Sequence, residues 1–256
     1  MVIFTYDKTF EGLLTALFDA YERKLFPEAL YAENEPLPLF YDEVLTIISD
    51  EHKSNRVWKG LEKKLSPAGL SVITANWLSE LPGNDMLLFR YMRKAIDSPR
   101  HIEYNFGDPD VLLATQISKK VSQERLRLIQ FTRFQKAADD TFFAVMEPLY
   151  NVLPLALSYF QDRFADQKWV LYDIKRDYGY YYDLSKTTEV HFEEKLPHLL
   201  TGELDETLMA EDEKLFQRLW QTYFKSIAIK ERINPKLHRQ HMPARFWKFM
   251  PEKKQA

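Results

Sequence analysis

The sequence predicts an α+β fold in which helical and strand segments are grouped along the chain instead of alternating. In the first half, apolar residues recur every three or four positions, for example through residues 10–25, and this spacing is typical of amphipathic helices. Residues 169–184 carry two aromatic-rich segments around a polar turn, which indicates a β-hairpin. We therefore expect a helical N-terminal half, a central antiparallel sheet of about four strands and a helical, basic C-terminus.

The N-terminal half is predicted to combine helices with two short strands. Alternation over residues 2–6 and β-branched residues within 44–48 indicate the strands. Thr9 can cap the first helix, and Ser66 followed by a proline is a typical start of another. The predicted helices of this half cover residues 10–26, 56–65, 67–81, 85–97 and 109–126.

The second half is predicted to contain the sheet. Pro82 and Gly83 interrupt the helical pattern. We therefore expect a mostly helical region with two short strands over 1–82 and an α+β domain with a basic tail over 83–256. The predicted strands of this half cover residues 128–135, 141–146, 169–174, 178–184 and 189–192, and its predicted helices cover 154–164 and 213–229.

The composition excludes several classes of site. The 256 residues include no cysteine, which excludes disulfides, thiolate metal sites and a cysteine nucleophile within the chain. The sequence has no Gly-rich phosphate loop, no dinucleotide-binding fingerprint and no Gly-x-Ser-x-Gly motif, so we expect no cofactor and no metal. No apolar run approaches ~20 residues and no signal peptide is recognisable. We therefore expect a cytoplasmic protein without membrane contact.

The formal net charge of −3 conceals a strong asymmetry along the chain. Residues 1–52 carry eleven Asp and Glu against three Lys and Arg, and residues 189–213 carry nine against one. Residues 214–256 reverse this balance with eleven basic and two acidic residues, and residues 90–136 hold ten basic and five acidic residues. A basic tail next to a basic middle segment indicates a surface for polyanions, although a solvated helix and a charged C-terminus would give the same pattern.

One predicted hairpin places tyrosines beside two cations. Strand alternation puts Tyr178, Tyr180 and Tyr182 on one face, and the turn before them contains Lys175 and Arg176. Aromatic rings in this position can stack on bases while the cations bind phosphates. The alternative is that the tyrosines cover a core and that the turn is solvated.

The C-terminal segment interleaves cations with aromatic residues. Arg232, Arg239 and Arg245 can bind phosphates bidentately, and Trp247 can stack on a base or hold the tail against the domain. Asn234 precedes a proline and interrupts the preceding helix. The alternative is an arm whose aromatic residues are packed and whose charges are in water.

Four residues are candidates for acid–base chemistry, because proton transfer needs a titratable group held next to its target. Glu147 ends a predicted strand, and Arg133 could meet it across the first predicted hairpin. Asp173 and Arg176 adjoin the turn of the second hairpin. An Arg133–Glu147 contact would be either a structural ion pair or part of a site.

Several of these segments together resemble one protein family. They lie at residues 4–18, 56–61, 133–134, 147–148, 172–179, 232–235 and 242–247. With these motifs the chain resembles an uncharacterised bacterial family assigned to DNA metabolism or repair, whose members accompany a radical-SAM protein. Some members are fused to a uracil-DNA-glycosylase-like domain. The resemblance extends over almost the whole chain and supplies no catalytic residues.

The resemblance implies a nucleic-acid target, DNA rather than RNA, and a radical-SAM protein as partner. Since the chain has no cysteine, any iron–sulfur cluster must belong to that partner. We expect a nucleic-acid-binding accessory protein. The alternatives are a DNA-processing enzyme that acts on a damaged or flipped base and a protein-binding adaptor without nucleic-acid contact. The residues expected to contact nucleic acid are Lys175, Arg176, Tyr178, Arg232, Asn234, Arg239, Arg245 and Trp247.

Overall fold

The chain forms two compact units, residues 1–122 and residues 123–256. Each unit combines helices with a β-sheet, which confirms the α+β fold class. The structure, a computed structural model, describes residues 1–192, 202–227, 229–232 and 234–253.

The two units divide within a helix, whereas the expected domain boundary rests on the interruption of the pattern by Pro82 and Gly83. The compact units are defined by contacts between residues, whereas the predicted domain boundary is defined by the local sequence. The domain boundary at Pro82 and Gly83 therefore stays a prediction. Within the described ranges, no helix combines the length and the apolar character needed to cross a membrane.

The first unit is built on a parallel sheet whose central strand is β1 (Val2–Tyr6). The strands β2 (Ala29–Ala32) and β3 (Glu43–Thr46) flank it, and both run parallel to it. Ile3 and Phe4 of the central strand are fully buried. The sequence pattern predicts β1 and β3 but does not predict β2, because the four residues of β2 include no β-branched residue, whereas β3 contains valine and threonine.

Several helices of the first unit begin at side-chain caps. Thr9 and Ser66 cap the helices that follow them, as predicted. Asp50 caps a further helix, which for this reason begins several residues earlier than the predicted residue 56. The helices of this unit are α1 (Phe10–Arg23), α2 (Glu51–Lys64), α3 (Pro67–Trp77) and α4 (Asn84–Asp97), and α5 (Pro109–Phe131) begins in this unit. Helix α4 follows Gly83 and has no side-chain cap.

The second unit contains a mixed sheet with the strand order β4–β5–β6–β7–β8. These strands are β4 (Gln135–Lys136), β5 (Phe142–Met146), β6 (Trp169–Asp173), β7 (Tyr178–Tyr182) and β8 (Thr187–Val190). The helix α6 (Leu153–Arg163) connects β5 to β6, and this pair is therefore parallel, while the other neighbouring pairs are antiparallel. The sheet has five strands where about four were expected, and it is not purely antiparallel.

The predicted strand over residues 128–135 is wrong for most of its length. Helix α5 continues to Phe131 and buries Leu128 and Phe131, which are three residues apart as on one helical face. Only Gln135 and Lys136 pair with β5. The apolar and aromatic residues of this segment resemble a strand in composition, but their burial follows the helical period.

The C-terminal part of the second unit is helical, as expected. Its elements are α7 (Glu213–Ser226), α8 (Pro235–His241) and a 3-10 helix at Ala244–Phe249. Phe246 and Phe249 of this 3-10 helix are buried, and the Phe246 ring lies 5.3 Å from that of Phe131. The basic tail is therefore held against the unit by its aromatic residues.

Candidate nucleic-acid interface

A cleft of about 350 Å³ in the second unit brings several predicted site residues together. It lies between the segment after β5, the turn between β6 and β7, and the 3-10 helix Ala244–Phe249. Its charged lining side chains are Glu147, Lys175, Arg245 and Lys248. Residues that are far apart in the sequence thus meet at one surface.

Asp173, at the end of β6, fixes the turn that carries Lys175. Its Oδ1 accepts the backbone N–H of Lys175 at 2.9 Å and that of Arg176 at 3.3 Å. Its Oδ2 lies 2.7 Å from Nη1 of Arg176. Burial raises the pKa of the Asp173 carboxyl above its ordinary value, while its hydrogen bonds act in the opposite direction. Asp173 is therefore a buried support for the turn.

Arg176 connects this turn to the segment after β5. Its Nη1 donates to the carbonyl of Pro148 and its Nη2 to the carbonyl of Leu149, each at 3.2 Å. The Nζ of Lys175 donates to the same Leu149 carbonyl at 3.3 Å, but Lys175 is exposed whereas the Arg176 side chain is largely buried. Arg176 therefore shapes the cleft, and Lys175 remains accessible in it.

Glu124 holds Arg245 at the cleft. The Glu124 side chain is only 1% exposed and forms an ion pair with the guanidinium of Arg245. Its other oxygen accepts the backbone N–H of Leu149 at 2.9 Å. The guanidinium also lies over the ring of Phe246, 4.6 Å from its centroid. Arg245 is thus fixed from two sides while its side chain stays partly exposed.

Lys248 and Glu147 form an ion pair at the cleft, with side chains that are 48% and 41% exposed. Exposed pairs of this kind contribute about 0–1 kcal/mol to stability, so a ligand can compete for either partner at little cost. The lining cations are then Lys175, Arg245 and Lys248, against the lining carboxylate of Glu147 and the buried carboxylate of Glu124 that pairs with Arg245. This balance favours an anionic ligand.

The tyrosines of the hairpin belong mainly to the core. Tyr178 and Tyr182 are buried, and the ring of Tyr182 stacks on Trp169 with centroids 5.4 Å apart. The Tyr178 hydroxyl donates to the side chain of Asn151, and burial raises its pKa. Tyr178 and Tyr182 therefore fit the alternative interpretation, in which the tyrosines cover a core. We therefore leave Tyr178 out of the interface.

The predicted contacts in the C-terminal segment differ in accessibility. Arg232 and Arg239 are exposed and available to a ligand. Asn234 caps α8 by accepting a backbone N–H of that helix at 3.0 Å. Trp247 donates from Nε1 to the carbonyl of Met242 at 3.1 Å. Asn234 and Trp247 therefore have structural roles that explain their presence.

The predicted pair of Arg133 and Glu147 is not formed. Arg133 donates to Oε1 of Glu252 from Nε at 3.0 Å and from Nη2 at 2.7 Å, whereas Glu147 pairs with Lys248. The physical reason is the length of α5, because a helix occupies the residues that would have formed the first strand of the hairpin.

The four acid–base candidates do not form one constellation. Asp173 and Arg176 contact each other, and Glu147 lines the cleft beside them, but Arg133 is occupied by another carboxylate. The hypothesis of a DNA-processing enzyme requires all four side chains to line one pocket. The structure does not bring them together in this way. In the part of the chain that the structure describes, no group of three or more His, Asp or Glu residues could hold a metal ion.

Two residues of the cleft are not singled out by the sequence. Lys248 belongs to the basic tail, so the charge pattern contained a signal for it. Glu124 lies on a helix 121 positions before its partner Arg245, and nothing local in the sequence marks it. Only the folded arrangement identifies it as the residue that positions the guanidinium.

The fold and the cleft define an α+β protein that carries an accessible basic cleft in its second unit. The chain belongs to the DUF4130 family, which is described as a domain of unknown function and whose profile matches residues 82–252. The lining residues of the cleft lie within this range. No curated protein and no solved structure matches the chain.

Proposed function

We propose that the chain is a cytoplasmic nucleic-acid-binding protein of DNA metabolism or repair that acts as an accessory to a radical-SAM partner. The observation that carries this proposal is the cleft, where Lys175, Arg245 and Lys248 present accessible cations. Phosphates spaced along a nucleic-acid backbone are the ligands that such a cluster of separate cations fits best.

The three cations would bind phosphates in different ways. Arg245 is held in a fixed orientation, and a fixed guanidinium is suited to bidentate phosphate contacts. Lys175 stands on an exposed turn and acts as a point charge with a flexible stem. Lys248 would exchange Glu147 for a phosphate. Binding would therefore need little rearrangement of the backbone.

The family resemblance supports two further parts of the proposal, the kind of nucleic acid and the identity of the partner. DNA is preferred to RNA as the target, and a radical-SAM protein is the proposed partner, because the motifs resemble a family with these associations. The absence of cysteine is consistent with a division of labour in which the partner supplies the iron–sulfur chemistry. This chain would present the nucleic acid.

The test is a fluorescence-anisotropy titration of the full chain with labelled single-stranded DNA, double-stranded DNA and RNA at two salt concentrations. We expect salt-sensitive binding that favours DNA. Lys175→Ala should weaken binding and lower the slope of log affinity against log salt by about 1, because one phosphate contact is lost. The matched control is Lys225→Ala, which removes an exposed lysine of α7 that does not line the cleft.

The control variant should bind like the unchanged chain. Equal losses from both substitutions would mean that binding follows overall charge and not the cleft. No binding at low salt would reject the proposal and favour a protein-binding adaptor.

A further inference from the structure

The strand β3 is an open edge of the sheet in the first unit. It pairs with β1 on one side, and among the described residues no strand pairs with its other side. Its residues are half-buried or exposed. An edge of this kind presents backbone N–H and C=O groups that another extended segment can bind.

Large apolar side chains surround this edge. Leu39 is 92% exposed, Phe40 is 87% exposed and Ile48 is 82% exposed, and these are the highest values for large apolar residues in the described part of the chain. Tyr41 lies in the same segment and is also exposed. Single exposed apolar residues are common, but several that directly precede and follow one edge strand are typical of an interaction surface.

The same region is uniformly acidic. Residues 39–52, which comprise β3 and the segments that flank it, contain four Asp and Glu and no Lys or Arg. The acidic residues of 28–35 adjoin β2 at the opposite edge of the sheet and do not belong to this region. Asp42 pairs with the N-terminal ammonium and Asp50 caps α2. Glu43, in β3, and Glu51, the first residue of α2, are exposed. A partner segment must therefore tolerate or neutralise negative charge.

We propose that β3 accepts an extended, basic segment of a partner protein as an added strand of this sheet. Backbone hydrogen bonds to β3 would supply much of the affinity, as in other cases of strand addition. Alternate apolar side chains of the partner would pack on Phe40 and Ile48, and its Lys or Arg residues would face Glu43 and Glu51.

The charge pattern selects this occupant over the alternatives. A second copy of the chain would bring its own acidic edge against this one, and like charges across an interface are unfavourable. A nucleic acid would be repelled for the same reason. The edge belongs to the first unit and precedes the residues matched by the family profile, so the inference does not depend on the proposed cleft.

The test uses two sets of labelled short peptides and the full chain. One set alternates Val or Ile with Lys, and the matched set has Glu in place of every Lys. We expect the basic set to bind and the acidic set to remain unbound in anisotropy titrations. Hydrogen exchange at the backbone amides of β3 should slow when a basic peptide binds.

Two substitutions separate side-chain packing from charge. Phe40→Ser should weaken binding of the basic peptides about tenfold, because it removes an apolar anchor. Glu43→Lys should weaken the basic set and strengthen the acidic set. The matched control is Leu219→Ser, which changes an exposed apolar residue of α7 and should leave peptide binding unchanged.

The proposal is overturned if no basic peptide binds more tightly than its acidic counterpart, or if Leu219→Ser has the same effect as Phe40→Ser. It is also overturned if sedimentation shows that the chain dimerises and that Phe40→Ser abolishes the dimer, because the edge would then bind a second copy. Thermal unfolding of each variant verifies that it is folded. If Phe40→Ser is not folded, Glu43→Lys still tests the proposal.

Discussion

Two carboxylates at the cleft, Glu124 and Glu147, differ mainly in how much water reaches them. Both pair with a cation of the C-terminal segment, but Glu124 is almost completely buried and Glu147 is nearly half exposed. Water and salt screen the second pair, whereas removal of the first carboxylate leaves the Leu149 N–H and the partly exposed Arg245 guanidinium without their charged acceptor. The two residues therefore contribute differently to the free energy of unfolding.

Glu124→Gln should lower the free energy of unfolding by roughly 1–3 kcal/mol, since charged hydrogen bonds to Arg245 and to a backbone N–H are weakened in a buried position. Glu147→Gln should change it by less than about 1 kcal/mol. Urea denaturation of the two variants measures this difference. Equal effects would contradict the role that we assign to burial.

His191 gives a prediction for pH dependence. Its Nδ1 lies 3.0 Å from the carbonyl of Asp177 and its Nε2 lies 3.1 Å from Glu189, so the protonated ring can donate to both. These bonds, the carbonyl first, raise the pKa of His191 above its ordinary value of about 6.5. Because the folded pKa is raised, this contribution to stability is complete below about pH 6.5 and is lost as the pH rises through the folded pKa.

An NMR titration of His191 should therefore show a midpoint above the ordinary value. Glu189→Gln should lower that midpoint only in part, because the carbonyl of Asp177 remains. A midpoint at or below the ordinary value in the unchanged chain would contradict the two hydrogen bonds.

At the scale of elements, two glycines differ in the space that they leave for a Cβ, so we expect opposite responses to the same substitution. A Cβ at Gly179, in β7, would lie 2.5 Å from the carbonyl oxygen of Leu171 and 2.6 Å from the ring of Tyr172. A Cβ at Gly60, in α2, would meet no atom within 4 Å. Strand β7 therefore needs a glycine at position 179, whereas helix α2 does not need one at position 60.

Gly179→Ala should destabilise the protein by roughly 1–3 kcal/mol, because the strands must separate to accept the methyl group. Gly60→Ala should stabilise it by about 0.5–1 kcal/mol, since alanine favours a helix interior. Thermal or urea unfolding measures both. A destabilised Gly60→Ala variant, or a neutral Gly179→Ala variant, would contradict the packing described for these elements.

The elements also show where sequence reasoning succeeds. The hairpin of β6 and β7 is predicted within two residues, because a polar turn separates two aromatic strands. Helix α5 is predicted too short, because its last turns have the composition of a strand. Lys175 and Arg245, which the sequence predicts as nucleic-acid contacts, line the cleft, and so does Glu147, which it predicts only as an acid–base candidate. Glu124 is not predicted, because its partner is distant in the sequence.

At the scale of the whole molecule, the asymmetry of charge fits the two different ligands that we propose for the two units. Residues 25–52 are acidic without exception among their charged side chains, and residues 214–256 are strongly basic. The first suits a basic protein segment and the second suits a polyanion. The proposed accessory role requires both a protein partner and a nucleic acid, and the two proposed surfaces together would supply a binding site for each.

The most direct test of the central claim is the salt dependence of DNA affinity for the full chain and for the Lys175→Ala/Lys248→Ala variant. If the cleft binds the phosphate backbone, the slope of log affinity against log salt should fall by about 2 in the variant, one unit for each lost contact. An unchanged slope, or no DNA binding by the unchanged chain at low salt, would contradict the assignment of the cleft as the nucleic-acid interface.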